Sequence, residues 1–272
     1  MIGSMTQADK AVLLRDLHRG PSILRIANVW DAASARMVER AGFPAIATSS
    51  AGVAFSLGYP DTEAMPLGEM LGQVRRITRV TSVPVSADVM AGFSDIEETV
   101  AGLVAAGGVG MNLEDFQSGK LVNLAEQIEK IRAVGRAGER LGVPVVLNAR
   151  CDIYLEQIGD AATRFDRTVE RVLAYRNAGA DCVFVPAVRD EETIRRLVEA
   201  VKAPVNVLAG PGTPPISRLE QLGVARVSLG SGPMRASMSL MRAIAEELRD
   251  AGTYTRMLGG AVPYTEANDL LR

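Results

Sequence analysis

The sequence predicts an α/β fold closed into a (β/α)8 barrel, and three observations carry that expectation. Short apolar runs and longer amphipathic stretches alternate along almost the whole chain. The apolar runs are hydrophobic throughout, as strands of a parallel sheet covered on both faces must be. The joins repeat one punctuation, a helix closing in AG or LG, then a residue or two, then a strand: ERAGFPAIATSS, AAGGVGMNLED, RLGVPVVLNAR, NAGADCVFVP and QLGVARVSLG. TSVPVSADV and KAPVNVLAG do the same with proline.

A helix is expected over 10–17, followed by a strand at 23–29 that ends in Trp30 and Asp31. Asp31 suits the N-cap of AASARMVERAG, whose Ala35, Met37, Val38 and Ala41 share an apolar side, and Gly42 ends that helix. Strands then begin near Ala45, Val83, Gly108, Val143, Asp181, Val205 and Arg226. Helices are expected at 67–79, 95–106, 124–141, 161–178, 191–201 and 234–251. With the strand near Ile23 this makes eight βα units in about 230 residues, which favours closure over an open doubly wound sheet, the alternative. No linker rich in Pro, Gly or Ser divides the chain, so residues 1–272 are expected to form one domain. Residues 253–272 remain to pack on the barrel or on a partner subunit.

Composition narrows the function classes. Thirty basic residues face 32 acidic ones, so no excess positive field marks a nucleic-acid or membrane-surface binder, and a small molecule is the expected partner. Two cysteines, Cys151 and Cys182, each in or beside a strand, argue against a disulfide framework. The polar N-terminus has no apolar signal region and no run of apolar residues is long enough to span a membrane, so a soluble cytoplasmic protein is expected. His18, the single histidine, precedes the first strand and is expected at the surface.

In such a barrel the polar residues at the carboxyl ends of the strands converge on one mouth. Here they are Asp31, Ser49, Ser50, Ser86, Asp88, Glu114, Asp115, Asn148, Arg150, Asn206 and Ser228 or Ser231. Carboxylates without paired histidines or cysteines suit Mg2+ or Mn2+. Each residue also has a structural reading. Asp88 and Glu114 could be salt-bridged or capping acids, and Asp115 is expected to be structural. Arg150 needs an anionic partner, for which Asp152 stands two residues on. Asp61 lies in a Gly-Tyr-Pro-Asp turn, Lys120 between Gly119 and Leu121, and GPGTP at 210–214 suits a plain turn. Cys151 is expected to be an apolar filler.

The stretches NVWDAASARMVERAGFPAIATSSAGVAFSLGYPD, VPVSADVMAGF, GVGMNLED, VVLNARCDIYL, AGADCVFVP and VNVLAGPGTP, over residues 23 to 250, resemble the isocitrate lyase/phosphoenolpyruvate mutase superfamily. That resemblance implies a (β/α)8 barrel that exchanges its eighth helix within a homodimer or homotetramer. It implies Mg2+ chemistry on a small 2-oxo or 2-hydroxy di- or tricarboxylate, in which a C–C bond is cleaved through an enolpyruvate-like intermediate. By the same resemblance Asp88 and Glu114 stand on the metal side, Arg150 at the enolate, and Ser49, Ser50 and Ala51 at the substrate carboxylate; Asn206, from its place at a strand's carboxyl end, is a further candidate for substrate binding. Asp61 matches the residue near the cleaved group. Two departures stand out: the usual D-x-D is Ser86-Ala87-Asp88, and EDFQSGKLVN replaces the K-[KR]-C-G-[HS] gating loop, leaving Lys120 as its sole proton donor. A more open site follows, with oxaloacetate decarboxylation, phosphonate C–P chemistry or a non-catalytic 2-oxo acid-binding protein as alternatives.

Overall fold

A computed structural model describes residues 5–272 and shows how the barrel closes. Helix α1 (Gln7–Leu17) comes first, capped by Thr6, whose hydroxyl accepts from the Asp9 N–H while the Asp9 carboxylate accepts from the Thr6 N–H. Two short strand segments follow, β1 (Leu24–Ile26) and β2 (Asn28–Val29), parted only at Ala27. They are halves of one barrel strand. The chain continues through α2 (Ala32–Arg40), β3 (Ile46–Thr48), α3 (Ser50–Leu57), α4 (Leu67–Val80), β4 (Val85–Asp88), α5 (Ile96–Ala105) and β5 (Gly110–Glu114). A hairpin of β6 (Phe116–Gln117) and β7 (Lys120–Leu121) leads to α6 (Leu124–Arg140), β8 (Val146–Arg150), α7 (Ala161–Ala178), β9 (Cys182–Phe184) and α8 (Glu191–Val201). The circuit ends with β10 (Val205–Leu208), α9 (Ile216–Gln221) and β11 (Arg226–Ser228).

The sheet runs β1-β11-β10-β9-β8-β5-β4-β3-β2, parallel at every pairing. Leu24 pairs with Arg226 at one end of the order and Asn28 with Ala47 at the other. Because β1 and β2 belong to one strand, this order is a closed ring and the open-sheet alternative is excluded. The helices lie outside with apolar stripes inward, such as Met70, Val74 and Ile77 on α4 and Ile131, Val134 and Ala137 on α6. Asp31 caps α2, accepting from the Ser34 N–H at 2.7 Å, as its spacing suggests.

α1 stops the amino end of the barrel. Leu14 is fully buried, and a Cβ added to Gly110 would lie 2.7 Å from its Cδ2 and 3.1 Å from the Val146 carbonyl oxygen, so only glycine lets the plug seat. Arg15 Nε fixes the helix to Asp181 Oδ1 at 2.6 Å. This placement corrects the expectation for His18. As the C-cap of α1 it is turned under the barrel and is 3% exposed. Its Nδ1 lies 2.7 Å from the Leu14 carbonyl oxygen and its Nε2 3.4 Å from Nη1 of the buried Arg226.

Burial, and then the Arg226 charge, push the His18 pKa down to about 4. In the unfolded chain it titrates near its ordinary value of 6.5. Above that value neither state is protonated; below it the unfolded chain takes up a proton that the folded chain refuses. Stability is therefore lost as pH falls from 6.5 towards 4 and levels off below. Between pH 7 and pH 5 the expected loss from this residue is about 2 kcal/mol. Urea unfolding of His18→Gln should show a pH slope flatter by that amount; identical slopes in variant and wild type would refute the assignment.

The carboxyl-terminal segment behaves differently from the rest. Helix α10 (Gly232–Ala251) buries no residue and leaves Met238, Leu240, Met241 and Leu248 exposed. After α11 (Thr255–Leu258), α12 (Tyr264–Leu270) returns to the chain's own α2, where Leu270 is buried and its carbonyl accepts from Arg36 Nε at 2.7 Å. The last helix is thus anchored on its own barrel. Among the described residues no helix is long and apolar enough to cross a membrane.

Candidate active site

The strand order sets β3, β4, β5 and β8 side by side, so residues far apart in sequence meet at their carboxyl ends. Asp88 stands in register with Asn112, and Glu114 with Arg150. A cavity of about 540 Å3 opens there, lined among others by Asp61, Met90, Glu114, Gln117, Arg150 and Asp152. Arg150 is its organising charge. Its Nη1 lies 2.7 Å from Glu114 Oε2 and its Nε 2.7 Å from Asp152 Oδ1, so two edges of one planar guanidinium hold two acids. Burial opposes the Arg150 charge, but Asp152, Glu114 and Asp88 outweigh it and hold the group protonated, above its ordinary value.

The acids respond to the same crowding. Burial pushes the Glu114 carboxyl well above the usual range; Arg150 pulls it down while Asp152, Asp88 and Asp61 add to the rise. Asp152 is pushed up to about 6, again by burial first, against the pull of Arg150. Asp61, on the exposed rim, is raised by desolvation and by the Asp88 charge, with the Ser50 hydroxyl acting the other way.

Asp88 is held from below and beside. Its N–H donates to Thr48 Oγ1 at 3.0 Å, and its Oδ2 accepts from Ser50 Oγ at 2.9 Å and Ser50 N at 3.3 Å. Ser49 caps α3, accepting from the Gly52 N–H at 3.2 Å, so Ser49, Ser50 and Ala51 form the start of that helix beside the site. The Ser50 N–H already serves Asp88. The other carboxylate oxygen, Asp88 Oδ1, is buried with no hydrogen-bond partner. Asp88 lies behind the cavity wall and does not line it, yet a buried carboxylate oxygen without a donor, next to a wall with more acids than cations, fits a hard divalent cation. Among the described residues no three His, Cys, Asp or Glu side chains converge closely enough to share an ion; if an ion binds here, Asp88 and Glu114 are the acids that would hold it. Ser86, two residues before Asp88 on β4, is buried beneath it.

The loop after β4 winds around this carboxylate with Met90 and Phe93 in left-handed backbone conformations, φ 53° and 57°. Non-glycine residues adopt these at a cost, and here the Met90 carbonyl accepts from the Glu114 N–H at 2.9 Å while the Phe93 N–H donates to Glu63 Oε1 at 3.0 Å. Glu63 Oε2 in turn accepts from Gln117 Nε2 at 2.7 Å. Glu63 and Gln117, which no sequence motif singles out, therefore clasp three loops over the cavity. Spacing alone gives no sign of a contact across 54 positions.

The segment after β5 is a tight hairpin. Phe116 pairs with Leu121 and Gln117 with Lys120 around Ser118 and Gly119, both at positive φ, the geometry of a two-residue hairpin turn. Below it Asp115 is fully buried and accepts from the Asp152 N–H at 2.8 Å, Arg171 Nε at 2.8 Å and the Tyr175 hydroxyl at 2.5 Å. Arg171 Nη2 also donates to the Val122 carbonyl at 2.8 Å. Asp115 thus ties the hairpin to α7. Lys120 is exposed on the hairpin and does not line the cavity. Asn206 is buried inside the barrel, its amide bonded to Ser228 Oγ at 3.2 Å, and likewise does not line it. Cys151 is buried, and burial pushes its thiol well above the ordinary value, as suits an apolar filler.

Comparison with known proteins agrees with this geometry. The family profile of phosphoenolpyruvate phosphomutase matches residues 14–249. The 2-methylisocitrate lyase of Escherichia coli (strain K12) is 31% identical over 248 residues, 85% of this chain and 81% of that protein. The oxaloacetate decarboxylase of Rhodopseudomonas palustris (strain TIE-1) is 31% identical over 270 residues, 94% and 90% of the two chains. Among solved structures, phosphoenolpyruvate phosphomutase from Streptomyces platensis subsp. rosaceus superposes with a TM-score of 0.84 at 26% identity, covering 96% of this chain and 94% of that one. With the family profile matching most of its length and the barrel in common, the chain belongs to the phosphoenolpyruvate phosphomutase family, within the superfamily that also holds isocitrate lyase.

Proposed function

We propose that the protein is a Mg2+-dependent carbon–carbon lyase acting on a small 2-oxo or 2-hydroxy carboxylic acid through an enolate. The observation that carries this reading is the Arg150–Glu114 pair set beside the unpartnered Asp88 Oδ1. Similarity to 2-methylisocitrate lyase and oxaloacetate decarboxylase supports it. A divalent ion held by Asp88 and Glu114 would offset the acid excess and polarise the substrate's C2 oxygen. Arg150 then donates to the same oxygen as the C–C bond breaks and its electron pair moves into the enolate. Asp61, raised and at the rim, takes the hydroxyl proton of a 2-hydroxy acid as the bond breaks and returns it to the enolate carbon, or gives its own proton to the enolate left when a 2-oxo acid loses CO2, while the Ala51 N–H at the α3 start faces the substrate carboxylate.

The test is a screen of 2-oxo and 2-hydroxy acids for pyruvate or glyoxylate release, with Mg2+ and with a chelator. Turnover is expected only with the metal, and a loss of at least about a hundredfold in Asp88→Ala. Full activity in that variant, or indifference to chelation, sinks the enolate reading. We further propose a homodimer or homotetramer built through α10, whose apolar side chains lie exposed on this chain. Light scattering should give at least twice the 28.9 kDa chain mass, and Leu240→Glu with Met241→Glu should reduce it to that mass.

A further inference from the structure

We infer that the substrate carries no second carboxylate at the end away from the enolate, and presents there a hydrogen-bond donor without negative charge. The inference rests on the enolate reading above and narrows its substrate class. It follows from where the cavity's charges lie. Among the described residues Arg150 is the one cation lining it, and both edges of its guanidinium are engaged by Glu114 and Asp152. Once a substrate's reacting end is held there, the rest of the molecule must lie against the remaining wall, which presents Glu63, Glu156 and Gln117 beside Leu155 and Phe116.

Among the described residues no cation stands ready to receive an anion on that wall. Lys120 is exposed outside the lining, and Lys130 is committed, its Nζ donating to Gln117 Oε1 at 3.1 Å and pairing with Glu126 at 3.7 Å. Glu63 cannot swing clear either, because the Phe93 N–H and Gln117 Nε2 fix one oxygen each. A distal carboxylate would meet two like charges, the half-buried Glu63 and the exposed Glu156, whereas an amide or hydroxyl would find carboxylate oxygens to donate to. Against an acidic wall of this kind, discrimination comes from repulsion of the wrong ligand as much as from attraction of the right one.

Calorimetry in the presence of Mg2+ with four ligands separates the possibilities: oxalate as an enolate mimic, lactate, malate, and the 4-amide of malate. The 4-amide is expected to bind about tenfold more tightly than malate. In Glu156→Gln malate should gain affinity until the gap is within threefold, with lactate unchanged. Oxalate binding together with malate equal to or tighter than the amide, or with no detectable amide binding, overturns the inference and leaves the enolate reading standing. An unaltered preference in Glu156→Gln overturns the assignment to this wall. Failure of oxalate to bind overturns the enolate reading, and the inference with it.

Discussion

Arg150→Lys is expected to lower kcat/KM by about a thousandfold in a chain that still folds. The guanidinium meets Glu114 through Nη1 and Asp152 through Nε, each at 2.7 Å, and its side chain is 16% exposed. A lysine ammonium is compact and reaches one of those acids at a time, so the carboxylate left behind drifts from its position. Lysine keeps the positive charge and so isolates geometry from electrostatics. Arg150→Met removes both and leaves Glu114 and Asp152 facing one another without a cation, which should cost about 3–5 kcal/mol of stability. Steady-state kinetics on the lysine variant and urea unfolding of the methionine variant read the two effects separately. An Arg150→Lys enzyme within tenfold of wild type would show that a positive charge suffices and that the two-edged hold on Glu114 and Asp152 is not needed for the reaction.

Much of this site is legible in the amino-acid sequence, and the reasons are physical. A parallel barrel puts every strand's carboxyl end at one mouth, so strand-final Asp88, Glu114 and Arg150 converge once the strands are located. Asp152 as partner to Arg150 is equally legible, being an acid two residues on, in the turn that leaves the same strand end. What the sequence hides are contacts made between loops. Glu63 reaches Gln117 and Phe93 through turns whose shape depends on left-handed residues at Met90, Phe93 and Ser118, and no periodicity announces those. The hairpin does leave a signal, Ser118-Gly119 between short apolar segments, but two-residue strands are too brief to show an alternation. His18 is misplaced by sequence alone because an amphipathic first helix looks the same whether it lies on a barrel's side or plugs its floor. For α10, the exposed apolar side chains are visible as a pattern, but a single chain does not say what should cover them.

The hairpin's anchor makes the second large effect. Asp115→Ala is expected to lose about 3–5 kcal/mol, because it removes the acceptor for three donors and strands the Arg171 charge, whose side chain is 11% exposed. Activity should fall as well, and by a definite route. The Asp115 carboxylate holds the Asp152 N–H and the Asp152 carboxylate holds Arg150 Nε, so, with Arg150 at the enolate as proposed, a loosened Asp115 is felt two links away. Tyr175→Phe provides the comparison: it deletes one donor to the same carboxylate, should cost about 1–2 kcal/mol, and leaves Arg171 and the Asp152 N–H in place. If Asp115 acts through that chain, Asp115→Ala lowers kcat more than tenfold under conditions where urea titration shows it fully folded, while Tyr175→Phe stays within threefold of wild type. If both variants lose activity in proportion to their stability, Asp115 only holds the hairpin to α7. If Asp115→Ala is within about 1 kcal/mol of wild type, the buried network does not stabilise this fold at all.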